Sequence, residues 1–199
     1  MKATTKPFLI LFVEGETEKE FYEALLAYYK ANSEKAICGY KIYNMKGIGR
    51  FETKTVAKLK LEIMPKYLGY NLSVICCYDT DVFDLAQKPP VNWSNLRQKI
   101  KELGIEKFEE VKAKQMIEDW FLKDLKGLCE YLKVPQPKEL KGKNGNEKMK
   151  ALFKMGKKPK VYQKGSNSHK FIPSLSMKSI RDSVKSELLP LESILKVQL

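Results

Sequence analysis

Hydrophobic runs and amphipathic stretches alternate along most of the chain. Residues 8–13 form a continuous apolar run rich in β-favouring side chains, which is typical of a strand buried on both faces. Shorter apolar runs over residues 40–43, 72–78 and 108–111 predict three further strands. Because helical patterns separate these runs, we expect an α/β fold with a mainly parallel sheet of about four strands, flanked by helices.

The helices are predicted from apolar residues at helical spacing. The first covers residues 17–30, with Thr17 as its candidate cap. Similar patterns predict helices over about residues 51–68, 93–103 and 115–132, and one or two closing helices over residues 177–185 and 188–197. In the helix over 115–132, Trp120 and Phe121 are assigned to packing.

Charge is distributed unevenly over the 199 residues. The chain has 37 Lys and Arg against 24 Asp and Glu, a net charge of +13. Residues 141–170 carry ten lysines and one acid, Glu147, and so contribute +9 of that total. A polyanion such as nucleic acid is the expected partner of this segment, and a solvated, solubilising loop is the alternative. We expect an α/β core over residues 1–135, with the lysine-rich extension over 136–199 completing the same domain.

Several function classes become improbable from composition alone. The single histidine, His169, removes histidine-cluster metal sites. The four cysteines show neither metal-ligand spacing nor the density of a disulfide scaffold, and adjacent Cys76 and Cys77 are expected to be small buried hydrophobes. No apolar run approaches the roughly 20 residues of a membrane helix. A cytoplasmic protein without a membrane partner is therefore expected.

Acidic residues follow two of the predicted strands. Glu14 comes directly after the first strand, Glu18 lies one helical turn further on, and Asp79 and Asp81 follow the third strand. In an open parallel sheet these strand ends meet at one edge, and the Asp-X-Asp spacing on an extended strand puts both carboxylates on one face. Oxygen ligands without histidine favour Mg²⁺ or Mn²⁺.

These motifs resemble the Toprim family. Its pattern is a Glu-Gly after the first strand and an Asp-X-Asp after the third, matched here by Glu14-Gly15 and Asp79-Thr80-Asp81. More specifically, the chain resembles small RloB-like proteins and the Toprim part of OLD-family nucleases. That subgroup adds an acid one turn after the first glutamate, an acid opening a Trp-containing helix and a lysine near the C-terminal end. The matching residues are Glu18, Glu118 in Ile117-Glu118-Asp119-Trp120, and Lys164 in Tyr162-Gln163-Lys164-Gly165.

The resemblance implies Mg²⁺- or Mn²⁺-dependent hydrolysis of phosphodiester bonds in DNA or RNA. Asp79 and Asp81 would hold one metal ion, and Glu14 with Glu18 or Glu118 would hold or orient a second. Lys164 would stabilise charge on the phosphate, so the implied catalytic set is Glu14, Asp79, Asp81 and Lys164. The resemblance also implies an effector of prokaryotic anti-phage defence working with a separate ATPase partner, and it leaves the oligomeric state open.

Basic residues near the expected site are candidates for contact with nucleic acid. Gly47 and Gly49 in the loop after the second strand permit close approach to a phosphate, although a plain turn explains the same residues. The candidates are Lys46, Arg50, Lys154, Lys157, Lys158, Lys160 and Lys170.

Two other functions are compatible with the sequence. A non-catalytic module could bind nucleic acid or a partner through its lysines, with a degenerate acidic site. A haloacid-dehalogenase-like phosphatase could use Asp79 as nucleophile, but that motif usually follows the first strand and has Thr or Val where Phe83 stands.

Overall fold

The computed structural model describes residues 6–85, 89–156, 160–165 and 167–199. Its centre is a four-stranded parallel sheet with the spatial order β2-β1-β3-β4. The strands are β1 (Lys6–Val13), β2 (Gly39–Asn44), β3 (Tyr70–Asp79) and β4 (Lys107–Ala113). The predicted α/β class and the four predicted strands are confirmed, and each strand is longer than its apolar run.

Both faces of the sheet are covered. Alternate residues of β1 enter two separate hydrophobic clusters: Leu9 and Leu11 pack on one face, whereas Ile10 and Phe12 pack on the other. The central strands therefore need apolar residues at every position, which is why the run over residues 8–13 is continuous. Adjacent Cys76 and Cys77 likewise point to opposite faces as buried, free thiols, as expected.

Helices alternate with the strands and divide between the two faces. One face is covered by α1 (Glu16–Asn32) and by the helices after β4, and the other by α2 (Arg50–Lys58) and α5 (Trp93–Glu102). Two short helices are α3 (Met64–Lys66) and α4 (Asp81–Leu85). The helices after β4 are α6 (Ile117–Phe121), α7 (Leu125–Leu132), α8 (Gly145–Phe153), α9 (Ser168–Phe171), α10 (Met177–Ser183) and α11 (Lys185–Leu195).

Two predicted helices are interrupted. The helix expected over residues 51–68 contains a π-helical turn, Leu59–Ile63, between α2 and α3. The helix expected over residues 115–132 begins only at Ile117, since Gln115 has a φ of 65°, and is broken by a 3₁₀ turn at Leu122–Asp124. Trp120 and Phe121 are buried in the core, as predicted.

Side-chain caps explain where some helices begin. The buried carboxylate of Asp124 accepts the backbone N–H of Gly127 and starts α7. The prediction of Thr17 as a cap is wrong, because α1 starts after Gly15 without a side-chain cap. The closing segment is two helices, α10 and α11, which meet at Val184.

The lysine-rich segment contains a helix, α8, that the hydrophobic pattern did not predict. Asn144 caps α8 through the backbone N–H of Glu147, and Met149, Leu152 and Phe153 are buried. These three residues join the same hydrophobic cluster as Leu9 and Leu11 of β1, so residues from both predicted segments share one core. In the described part of the chain, no helix combines the length and apolarity that crossing a membrane requires.

Candidate active site

The candidate site lies where β1 and β3 end side by side. Val13 pairs with Cys77 in the parallel register, so Glu14 and Asp79 emerge at the same edge of the sheet. The chain passes from β1 to β2 on one side and then returns to β3 on the other side of β1. This edge is the switch point at which open parallel sheets bind their ligands.

Asp79 connects three segments of the chain. It is the last residue of β3 and only 2% exposed. Its Oδ1 accepts the backbone N–H of Ile117 over 2.9 Å, which ties the end of β3 to the first turn of α6. Its Oδ2 accepts a hydrogen bond from Nζ of Lys164.

Glu18 faces the same centre from the first turns of α1. Nζ of Lys164 lies 3.0 Å from its Oε1, although neither oxygen of the buried Glu18 carboxylate accepts a hydrogen bond from a described residue. Gly15 leaves space for this placement, since a Cβ at Gly15 would lie 2.8 Å from Oε2 of Glu18 and the carboxylate would have to shift. The Glu-Gly pair therefore has a steric reason: the glycine leaves room for the second acid.

Glu118 completes the group of acids from α6. It is fully buried, and its Oε1 accepts a hydrogen bond of 2.7 Å from the hydroxyl of Tyr162. Its other oxygen, Oε2, has no hydrogen-bond partner among the described residues. An acid in the first turn is favoured by the helix dipole, but complete burial beside a second carboxylate exceeds what a helix start requires.

Lys164 reaches the acids on a turn that is fixed against α1. The backbone N–H of Gly165 donates to Oγ1 of Thr17 over 2.7 Å. Thr17 therefore supports the site, whereas the sequence pattern predicted it as a helix cap. No local sequence pattern indicates this contact, because the partner of Thr17 lies 148 residues away in the sequence.

The centre carries excess negative charge when its groups are ionised. Four carboxylates, those of Glu14, Glu18, Asp79 and Glu118, surround the single ammonium of Lys164. Burial raises the pKa of Asp79 to about 8, against the opposing effect of Lys164, and it also raises the pKa values of Glu14 and Glu118. Burial alone would lower the pKa of Lys164, but the surrounding carboxylates outweigh it and raise that pKa.

Asp81 differs from Asp79 in geometry. The chain turns at Thr80, whose Oγ1 accepts the backbone N–H of Gln115 over 2.8 Å, and Asp81 begins α4. The expectation that both aspartates alternate along one extended strand is therefore wrong. Asp81 is partly exposed, and its charge contributes to the raised pKa of Glu14.

The donor chemistry of the centre fits a hard divalent cation. Within the centre, three buried carboxylate oxygens have neither a hydrogen-bond donor nor a cation in contact among the described residues, namely the Oε2 atoms of Glu14, Glu18 and Glu118. Buried anionic oxygens without donors are unfavourable unless a cation compensates them. Over the described ranges no three acidic, His or Cys side chains converge closely enough to hold a metal ion, and the Lys164 ammonium contacts Glu18 and Asp79 instead. A divalent ion must share or replace those contacts.

The basic residues predicted to contact nucleic acid lie on two sides of the acidic centre. Lys46 and Arg50 line a groove of about 300 Å³ beside the end of β2. The backbone N–H of Gly47 donates to the carbonyl of Glu14 over 2.8 Å, so this groove adjoins the acidic centre.

The remaining candidates belong to the C-terminal segment. Lys160 and Lys170 line a pocket of about 360 Å³ whose wall includes Tyr162. Lys154 is exposed at the end of α8. Lys157 and Lys158 lie outside the described residues.

No protein-family model and no curated protein sequence matches the chain. A solved structure similar to this chain is the C-terminal region of the Xanthomonas campestris pv. campestris OLD protein, at 14% identity and a TM-score of 0.34. The similarity covers 90% of this chain and 96% of that chain. The fold and the site together define the class: a parallel α/β protein with a buried acidic centre at its switch point.

The hydrogen bond between Tyr162 and Glu118 predicts a measurable loss of stability. Tyr162→Phe removes the hydroxyl that donates to the buried carboxylate of Glu118 and should lower the free energy of unfolding by about 1–3 kcal/mol at pH 8. Urea denaturation measures the loss. Tyr131→Phe is the control, because the Tyr131 hydroxyl makes no hydrogen bond within the described ranges, and it should change stability little. Equal losses in both variants would contradict the assignment.

Proposed function

We propose that this protein is a Toprim-type nuclease that hydrolyses phosphodiester bonds of DNA or RNA with Mg²⁺ or Mn²⁺. The observation that supports this most is the set of three buried carboxylate oxygens, on Glu14, Glu18 and Glu118, that lack a donor among the described residues and lie near Lys164 at the switch point of the sheet. The groove lined by Lys46 and Arg50 beside these acids supports an anionic substrate. The resemblance also suggests an effector of anti-phage defence beside a separate ATPase, which phage challenge of cells expressing the chain with a candidate ATPase would test.

The roles of the residues follow from their positions. Asp79 and Glu18, with Glu14, Asp81 and Glu118, would hold the metal. A divalent ion bound there supplies Lewis-acid activation of water and neutralises phosphate charge. The ammonium of Lys164 already lies among these carboxylates, and it would transfer its contact to a phosphate oxygen of the substrate.

The phosphatase alternative has less support. Both carboxylate oxygens of Asp79 are engaged, one by Ile117 and one by Lys164, and the residue is 2% exposed. A nucleophilic oxygen must approach the phosphorus atom of the substrate closely, which the burial of Asp79 opposes, whereas a small metal ion needs only to share or replace the contact with Lys164. The binding-only module remains the second candidate, since the basic groove would serve it equally well.

A cleavage assay separates the nuclease from the binding module. Supercoiled plasmid, single-stranded DNA and transfer RNA are incubated with the protein in Mg²⁺, Mn²⁺ or EDTA. We expect cutting of at least one substrate with metal and none in EDTA. Salt-sensitive binding without cutting under any of these conditions would favour the binding module.

Metal binding should be visible without any substrate. Mn²⁺ in about hundredfold excess over its Kd should raise the melting temperature by about 5–10 °C. Glu18→Gln should reduce this shift strongly, because it removes a buried carboxylate charge whose Oε2 accepts no hydrogen bond from the described residues. Glu102→Gln is the matched control, since Glu102 ends α5 at the opposite edge of the sheet, and it should keep the full shift. A shift of the same size in both variants would place the metal elsewhere.

A further inference from the structure

We infer that the groove along α2 is a track for a nucleic-acid strand leading away from the acidic centre, with Lys54 as a phosphate-contacting residue beyond Lys46 and Arg50. This inference rests on the proposed function and assigns the path of its substrate. The groove of about 300 Å³ is lined by four cations, Lys46, Arg50, Lys54 and Lys58, and by a single acid, Glu62.

The helix geometry makes this surface continuous. Arg50, Lys54 and Lys58 are spaced four residues apart and therefore lie along one face of α2, about 6 Å from one to the next. This spacing is comparable to the distance between successive phosphates of a strand. Phe51 and Thr55 are buried against the sheet, which fixes the rotation of the helix and keeps the basic face outward.

The direction of the track follows from the fold. α2 begins at the carboxyl ends of the strands, where the acids lie. It runs antiparallel to the strands, toward their amino ends. Arg50 is thus nearest the centre, and Lys54 and Lys58 are progressively further away. The loop before α2 is held to β1 by two backbone hydrogen bonds, from Met45 to Val13 and from Gly47 to Glu14, each of 2.8 Å.

The four cations of the groove differ in whether they already form an ion pair. Lys58 already pairs with Glu62 over 2.5 Å, whereas Lys46, Arg50 and Lys54 make no ion pair in the described part of the chain. The unpaired cations gain most from a polyanion, because its arrival releases counterions without breaking an existing pair. We therefore expect Arg50 and Lys54 to contribute more to affinity than Lys58.

Binding of a labelled single-stranded oligonucleotide in EDTA tests the track without requiring catalysis. The double variant Arg50→Gln with Lys54→Gln should weaken binding roughly tenfold and lower the slope of log K against log salt by about 1.4, or 0.7 for each contact. The control is Lys99→Gln with Lys101→Gln, two exposed lysines near the end of α5 at the opposite edge of the sheet. It should bind nearly as tightly as the wild type.

Each outcome is informative about the track separately from the nuclease activity. Equal affinity and slope in the wild type and the α2 variant would overturn the track, even if metal-dependent cutting is found. Equal weakening in both double variants would also overturn it, because net charge alone would then explain the effect. Absence of oligonucleotide binding by the wild type would also overturn the track. Absence of cutting with a normal α2 effect would instead refute the nuclease and leave the track standing.

Discussion

Asp79→Asn should reduce cleavage by about 10³-fold or more while leaving the fold nearly as stable as the wild type. The amide oxygen can still accept the backbone N–H of Ile117, so the link between β3 and α6 is kept. What the substitution removes is the negative charge that contacts Lys164 and would hold a metal ion. A loss of activity without a loss of structure is therefore the expected signature.

The measurement pairs single-turnover cleavage with urea denaturation. Asp182→Asn serves as the matched control, because Asp182 is a surface residue of α10 paired with Lys178 and lies outside the acidic centre. It should cut at the rate of the wild type. If Asp79→Asn retained more than about a tenth of the activity, Asp79 would not be a ligand of the working metal, and the assignment of the site would have to change.

The pattern of hydrophobic residues was sufficient to predict the four strands and several of the helices that pack on them. The run over residues 8–13 and its three counterparts located all four strands, since parallel central strands carry a signal that local propensity and burial both reinforce. The same pattern located α1, α2 and α5. It failed at α8, because this short helix lies within a lysine-rich segment and only three apolar side chains, those of Met149, Leu152 and Phe153, are buried in it.

The candidate site was predictable only in part, and the reason is the distance between its parts along the chain. The predicted strand ends indicated Glu14 and Asp79, helical spacing indicated Glu18, and the family resemblance indicated Glu118. The contacts made by Thr17 and Tyr162 span 148 and 44 residues, so no local signal could indicate them. The turn at Thr80, which separates Asp81 from the extended strand, depends on a hydrogen bond from Gln115 that the motif does not encode.

Lys164→Met should destabilise the protein by about 2–3 kcal/mol at pH 8.5. Removing one partner of a buried ion pair usually costs about 3–5 kcal/mol, and the smaller figure applies because about a third of the Lys164 side chain is exposed. The loss arises from Glu18, Asp79 and Glu118, whose carboxylates would remain buried without their nearest cation.

The pH dependence of this loss has a definite sign. Burial raises the pKa of Asp79 to about 8, and the pKa values of Glu14 and Glu118 are also raised, whereas unfolded carboxyls titrate at about 4. Between these values the native state binds more protons than the unfolded state, so its stability falls as the pH rises. Without Lys164 the native carboxylates bind protons more tightly still. The deficit of the variant should therefore be small near pH 5 and largest above pH 8.

Urea denaturation of the wild type and Lys164→Met at pH 5 and pH 8.5 measures this difference, with Lys170→Met as the control because Lys170 makes no ion pair among the described residues. Mn²⁺ adds a second readout: if a divalent ion and Lys164 compensate the same carboxylates, the metal should recover much of the stability that the variant loses at pH 8.5. A deficit independent of pH and insensitive to Mn²⁺ would mean that Lys164 stabilises the fold through packing alone. The combination of a pH-dependent deficit and recovery by metal would instead identify the ammonium and the metal ion as alternative cations for one acidic centre.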